Sequence, residues 1–175
     1  MGMATEKTAP EKLEKWKRER RDLLQRIQEL RRQGICYICQ DLKTKEVFGE
    51  QHIIWEDDEF RVVLDRYPRV EGHTILTYKP HREDVSELSD GEAAAVFQMC
   101  VKVVKAIKSA LGAEKVYILS MCDGPINHLN FQLLPRYPGN LMGYRRLAME
   151  RRPLEHGDET VNQIRGALRR NMSKE

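Results

Sequence analysis

Three polar side chains, His128, Asn130 and Gln132, alternate with Leu129, Phe131 and Leu133 in the run from His128 to Arg136. Strict alternation is the pattern of a strand that buries one face. The apolar residues then face a core, and the polar residues stand side by side about 6.6 to 7 Å apart, close enough for all three to touch one anionic group. Immediately upstream, Asp123-Gly124-Pro125-Ile126-Asn127 is a turn-forming cluster that delivers the chain into this strand. A short glycine-containing turn leaves backbone N–H groups free to face phosphate oxygens. Taken alone, three polar residues in alternation are equally the mark of an ordinary solvated strand face.

A second group able to do chemistry is Cys36 and Cys39. Two cysteines at this spacing can grip one metal ion from a tight knuckle, but a second pair of ligands is required. The sequence offers five histidines, His52, His73, His81, His128 and His156, and spacing alone does not choose among them. A redox pair and an inert pair therefore stay open. Cys100, in an apolar helical run, and Cys122, beside the turn, read as plain core thiols.

The elements that must position these residues follow from periodicity. From Glu11 to Gln33, Leu13, Trp16, Leu23, Leu24, Ile27 and Leu30 recur at helical spacing among charged residues, and Gly34 ends the helix. Its apolar stripe must bury against its own domain or a partner chain; a nucleic-acid role for its basic side is weakened by interspersed Glu and Asp. Phe48 to Trp55 and Phe60 to Asp65 read as strands around a Glu56-Asp57-Asp58-Glu59 turn. Gly72 to His81 contains another strand, Ser89 caps a helix over Ala93 to Leu111 with Glu92 following, and Val116 to Met121 is the strand before the turn. Beyond Arg136 the pattern breaks into a basic tail with Arg145, Arg146, Arg151 and Arg152. These arginines can grip a polyphosphate or simply form a solvated helix face.

At 175 residues the chain has room for one domain and an appendage, and its net charge of +3 is too small for a nucleic-acid-coating protein. No apolar run approaches a membrane span and the opening is polar, so an intracellular, cytoplasmic protein with reduced cysteines is expected. The opening Met1-Gly2-Met3 looks like a second start placed before Met3, as in a made sequence.

Together, His128-x-Asn130-x-Gln132 followed by Leu133-Leu134-Pro135-Arg136, the Gly72-His73 to Pro80-His81 segment and the cysteine pair resemble the histidine triad (HIT) superfamily of nucleotide hydrolases and transferases. Gln132 in the third place resembles the branch with galactose-1-phosphate uridylyltransferase and diadenosine tetraphosphate phosphorylase. The resemblance spans roughly Ile35 to Arg136. It implies an α+β fold: a mostly antiparallel five-stranded sheet, a covering helix and, outside the resemblance, the N-terminal helix. The division expected is a charged helix over 1–33, a nucleotide-binding domain over 34–138 and a basic extension over 139–175.

The resemblance further implies a structural zinc held by Cys36, Cys39, His81 and His128. It implies a base sandwiched by Tyr37, Ile38 and Val63, a ribose at Asp65, and a phosphate met by Gln132 and the loop of Gly124 and Asn127. His73 is implied to be structural, and a homodimer is implied through the helix and edge strand. In the family the middle triad residue is a nucleophilic histidine; here it is Asn130, whose carboxamide nitrogen has a delocalised lone pair and is a very poor nucleophile. Three explanations stay open: an engineered His-to-Asn change, preferred here, a natural pseudoenzyme that binds nucleotides without catalysis, and a nucleophile supplied from elsewhere.

Overall fold

The computed structural model describes residues 10–122 and 124–173. The opening Met1-Gly2-Met3, Asp123 of the turn and the side chain of Arg146 lie outside the described residues. Helix α1 (Pro10–Arg32) and the short α2 (Tyr37–Thr44) precede strands β1 (His52–Glu56), β2 (Phe60–Leu64) and β3 (Thr74–Tyr78). Then come α3 (Asp90–Leu111), β4 (Lys115–Leu119), β5 (Asn130–Arg136), α4 (Tyr144–Leu147) and α5 (Gly157–Met172). The strands form one sheet in the order β1-β2-β3-β5-β4, and every pairing is antiparallel. The expected α+β architecture is the one observed. No helix among the described residues is long and apolar enough to cross a membrane.

Local chemistry sets the element ends. The Ser89 hydroxyl accepts from the Glu92 N–H while the Glu92 carboxylate accepts from the Ser89 N–H, a reciprocal cap at the start of α3. Gly112 closes that helix at φ 69°, and Gly34 follows α1 at φ +75°, both in the left-handed region. The strand expected from Phe48 begins only at His52. The Phe48 N–H donates to Asp41 Oδ1 (2.9 Å), which ties this stretch to α2 rather than to a ladder. Similarly, β5 starts at Asn130 rather than His128; the Leu129 N–H donates to Arg82 O (2.7 Å), outside the sheet.

One face of the sheet is the core. Phe60, Val62 and Leu64 of β2, Leu76 and Tyr78 of β3 and Leu133 of β5 pack there against α3. The segment read as a basic tail contributes as well: Val161, Ile164, Ala167 and Leu168 of α5 are buried in the same core. Thr160 Oγ1 donates to Glu71 Oε1 (2.6 Å), and Arg165 donates to the Ile53 carbonyl, which pins α5 beside β1. The opposite face carries α1 and α2. Leu13, Trp16, Leu23, Ile27 and Leu30 form the half-buried stripe of α1, with Leu24 exposed. Trp16 meets Tyr67 edge-on at 5.6 Å, and Arg26 donates to the carbonyls of Glu46 and Val47. The N-terminal helix thus docks on its own domain.

Candidate functional site

Register decides which side chains share the face opposite the core. Gln132 of β5 is opposite Ile75 of β3, which is opposite Val63 of β2; one step along, Asn130 faces Thr77, which faces Arg61. These six residues are the floor of a cleft of about 200 Å³. Its walls include Tyr37 and Ile38 of α2, Asp65 and Tyr67 after β2, and Leu23 and Ile27 of α1. A buried ion pair sits at one end, where Arg61 Nη1 lies 3.0 Å from Asp41 Oδ2 and the Arg61 fork also reaches Glu56 Oε1.

Across the floor the hydrogen bonds run in one direction. The Arg69 N–H donates to His73 Nδ1 (3.3 Å), so the other ring nitrogen carries the hydrogen and donates to Gln132 Oε1 (2.7 Å). Gln132 Nε2 donates to Asn130 Oδ1 (3.1 Å), and Asn130 Nδ2 donates to the His128 carbonyl (2.9 Å). Burial pushes the His73 imidazole below its ordinary pKa, against the pull of the Asp65 carboxylate, so the ring is neutral. Asp65 Oδ2 lies 3.2 Å from His73 Nδ1 but takes its hydrogen from Arg151 Nη1 (2.6 Å).

His128 turns away from this relay. Its Nε2–H donates to the Tyr78 carbonyl (2.7 Å), which leaves Nδ1 as an acceptor 3.5 Å from Cys36 Sγ and 3.3 Å from Cys39 Sγ. His81 Nδ1 is 3.3 Å from Cys39 Sγ, and its Nε2 lies 3.8 Å from Glu83 Oε1. The four donor atoms all fall within 4.8 Å of one another. α2 builds half of this cluster, because Cys36 is its N-cap and the Cys36 sulfur accepts from the Cys39 N–H. Burial, then the adjoining Cys36 sulfur, pushes the Cys39 thiol up to about 11. Burial also holds His128 below its usual pKa, in the neutral form that ligates metals.

Cys36, Cys39, His81 and His128 thus meet in one place, and Tyr37, Ile38, Val63, Asp65, Asn130 and Gln132 meet in the cleft. Three details differ from the sequence reading. The His128 ring serves the cysteine cluster, so Asn130 and Gln132 alone of the three alternating residues line the cleft. The Gly124 N–H is taken by Asn127 Oδ1 (2.9 Å), and Asn127 Nδ2 donates back to the Gly124 carbonyl (3.0 Å), so that turn bonds to itself. Both Asp65 oxygens already have partners, Oδ1 with the Tyr67 N–H (2.8 Å) and Oδ2 with Arg151. Sequence reasoning named Arg151 only as one arginine of the basic tail and missed both its contact with Asp65 and the lining role of α1, for which no local pattern exists. His73 was read only as structural, although its place one residue before β3, which pairs with β5, puts it beside Gln132.

The domain is thus an antiparallel α+β fold in which a carboxamide-lined cleft adjoins a two-cysteine, two-histidine cluster. The HIT domain family model matches residues 49–137, just over half the chain, and the chain belongs to that family. An uncharacterized HIT-like protein of Methanocaldococcus jannaschii is 30% identical over 112 residues, 61% of this chain and 82% of its own. The fold is similar to that of a Zn-bound histidine triad family protein from Mycobacterium smegmatis, with TM-score 0.65 and 22% identity, over 80% of this chain and 97% of that one. It is also similar to a uridylyltransferase, with TM-score 0.62 and 20% identity, over 87% of this chain and 51% of the other.

Proposed function

We propose that this chain is a nucleotide-binding HIT protein built for nucleotidyl transfer at the α-phosphate, with the nucleophile position replaced by Asn130. The observation that carries the reading is the hydrogen bond from Asn130 Nδ2 to the His128 carbonyl (2.9 Å) on the cleft floor. The amide nitrogen stands where an imidazole would place its Nδ1–H, and such a ring would present Nε2 to the cleft. It would also release Gln132 Nε2 from Asn130 to meet a nonbridging phosphate oxygen. A base fits between Tyr37, Ile38 and Val63, and Asp65 retains free lone pairs for a ribose hydroxyl.

With histidine at position 130, Nε2 attacks the α-phosphorus of a dinucleoside polyphosphate or nucleoside phosphoramidate. The bond from phosphorus to the leaving group breaks, and the leaving group departs with the electron pair and takes a proton. Water, phosphate or a sugar phosphate then breaks the new phosphorus–nitrogen bond and restores the imidazole. Asn130 cannot begin this sequence, so the chain as it stands holds its substrate intact. A crystal soaked with a dinucleoside polyphosphate tests the assignment: uncleaved ligand is expected with its α-phosphate at Gln132 and ribose at Asp65, and ligand bound elsewhere contradicts it.

The donor set suits zinc. Tetrahedral coordination with Zn–S near 2.3 Å and Zn–N near 2.0 to 2.1 Å separates sulfur from nitrogen by about 3.6 Å, close to the 3.5 Å of Cys36–His128 and the 3.3 Å of Cys39–His81 and Cys39–His128, in a cluster whose ligand atoms all lie within 4.8 Å of one another. The Tyr78 carbonyl and Glu83 are the outer partners that would fix the two rings. Four protein ligands close the coordination sphere, so zinc here would be structural, tying α2 to the start of β5. Elemental analysis is expected to find one zinc per chain, and Cys39→Ser to lose it. A chain with no metal that retains full stability would contradict the site.

A second reading, a natural nucleotide-binding pseudoenzyme, is favoured by the satisfaction of Asn130 at both ends of its carboxamide. It differs in one outcome: restoring histidine there gives binding without turnover.

A further inference from the structure

Arg31 lies in the last turn of α1, before the stretch that the family model matches. Its guanidinium carbon is 5.2 Å from the centroid of the Tyr37 ring, and Tyr37 is a wall of the cleft that holds Asn130 and Gln132. The same group also packs on Gly124, where an added Cβ would meet Arg31 Cζ and Nη2 at 3.1 Å. One cation is therefore wedged between the cleft wall and the loop that leads into the polar strand face.

Its bonding is incomplete. The neighbouring Arg32 pairs with Glu29 at 2.8 Å, whereas no carboxylate among the described residues pairs with Arg31. Its Nε is buried without an acceptor, in a class of group that folded proteins nearly always satisfy. The Gly124 N–H, the other donor at this end, is already taken by Asn127. An arginine in a last turn favours the helix dipole, but that role requires neither the ring beneath it nor the bare glycine beside it. A guanidinium placed over an aromatic ring is restrained there and can still turn N–H groups of its fork to a phosphate.

We propose that Arg31 receives the phosphate beyond the α-phosphate, the portion that would leave in nucleotidyl transfer. The N-terminal helix thereby makes the site selective for nucleoside di- and polyphosphates over monophosphates. This rests on the nucleotide reading above. Gly124 gives the guanidinium its room, since an added Cβ there would press on Arg31 Cζ and Nη2 at 3.1 Å.

The test is calorimetric titration of the full chain, Arg31→Gln and Arg31→Lys with two ligand pairs, AMP with ADP and UMP with UDP, at one ionic strength. In whichever pair binds, the diphosphate is expected to bind at least about tenfold more tightly than the monophosphate, as a charge-assisted bidentate contact would give. Arg31→Gln is expected to remove that preference and leave monophosphate affinity within about twofold, with Arg31→Lys between the two. Unchanged monophosphate affinity also shows that the cleft is still folded. Equal losses for both ligands would mean that Arg31 only packs the helix, and no loss for either would mean that it does not touch the ligand; both overturn the proposal. Failure of the unaltered chain to bind any of the four nucleotides would instead overturn the nucleotide reading and Arg31's role with it.

Discussion

His73 shows how much of the site depends on a residue that touches no ligand. It supplies the hydrogen bond that orients Gln132, and burial keeps it neutral. His73→Leu removes the donor and leaves Gln132 Oε1 without it, at a cost of about 1 to 3 kcal/mol in denaturant unfolding. The same residue carries a pH signature. Its folded pKa lies below 6.5, the value for an unhindered imidazole, so the unfolded chain takes up the proton first. The contribution is whole above that value and fades as pH falls below it. Urea titrations from pH 7.5 to 5 are expected to show stability declining on the acid side, with a shallower decline in His73→Leu; identical slopes would contradict the burial of a neutral ring. At this scale the sequence was legible where residue types cluster. Cys36, Cys39, His81 and His128 come together as the family resemblance implied, whereas the Arg151 contact with Asp65 joins a loop to a segment 86 positions away, and no local pattern encodes that.

The longer helices α3 and α5 build the core, whereas α1 and α2 wall the cleft. α5 is part of the core, and Ile164→Ala should cost about 2 to 5 kcal/mol because losing this fully buried side chain would leave a cavity in the core that α5 shares with α3. Leu24→Ala, on the exposed side of α1, should cost little. Comparable losses by thermal and denaturant unfolding would show that α5 is not integral. Its place was readable in principle, since Val161, Ile164 and Leu168 recur at helical spacing. Arg145, Arg146, Arg151 and Arg152 ahead of it suggested a basic tail with a solvated face, and only packing on α3 shows which face of α5 is turned in. The strands were legible from alternation and turn residues, but their ends were not. Whether Phe48 joins a ladder depends on Asp41, seven residues earlier, rather than on the strand's own composition.

Among the described residues, the β4 edge and the outer side of α3 both turn apolar side chains to solvent. β4 is an outer strand of the sheet, with Ile118 37% exposed and Met121 just beyond it 51% exposed, and Phe97 on α3 is 62% exposed. We propose that a homodimer through this edge and helix, the pairing the family resemblance implies, covers all three. Sedimentation is expected to give a dimer for the unaltered chain and a monomer for Ile118→Glu with Phe97→Glu; a monomeric unaltered chain would contradict the pairing. The cleft lies on the opposite side of the sheet from α3, so the double variant should bind nucleotide as before.

The proposed nucleotidyl-transfer site is tested most directly by the intact mass of Asn130→His after exposure to a dinucleoside polyphosphate or a nucleoside phosphoramidate. The predicted result is a gain of one nucleotidyl group, a nucleoside monophosphate less one water, mapped to position 130 and absent from the unaltered chain. A folded, metal-loaded Asn130→His protein that gains no mass and turns over no substrate would contradict it.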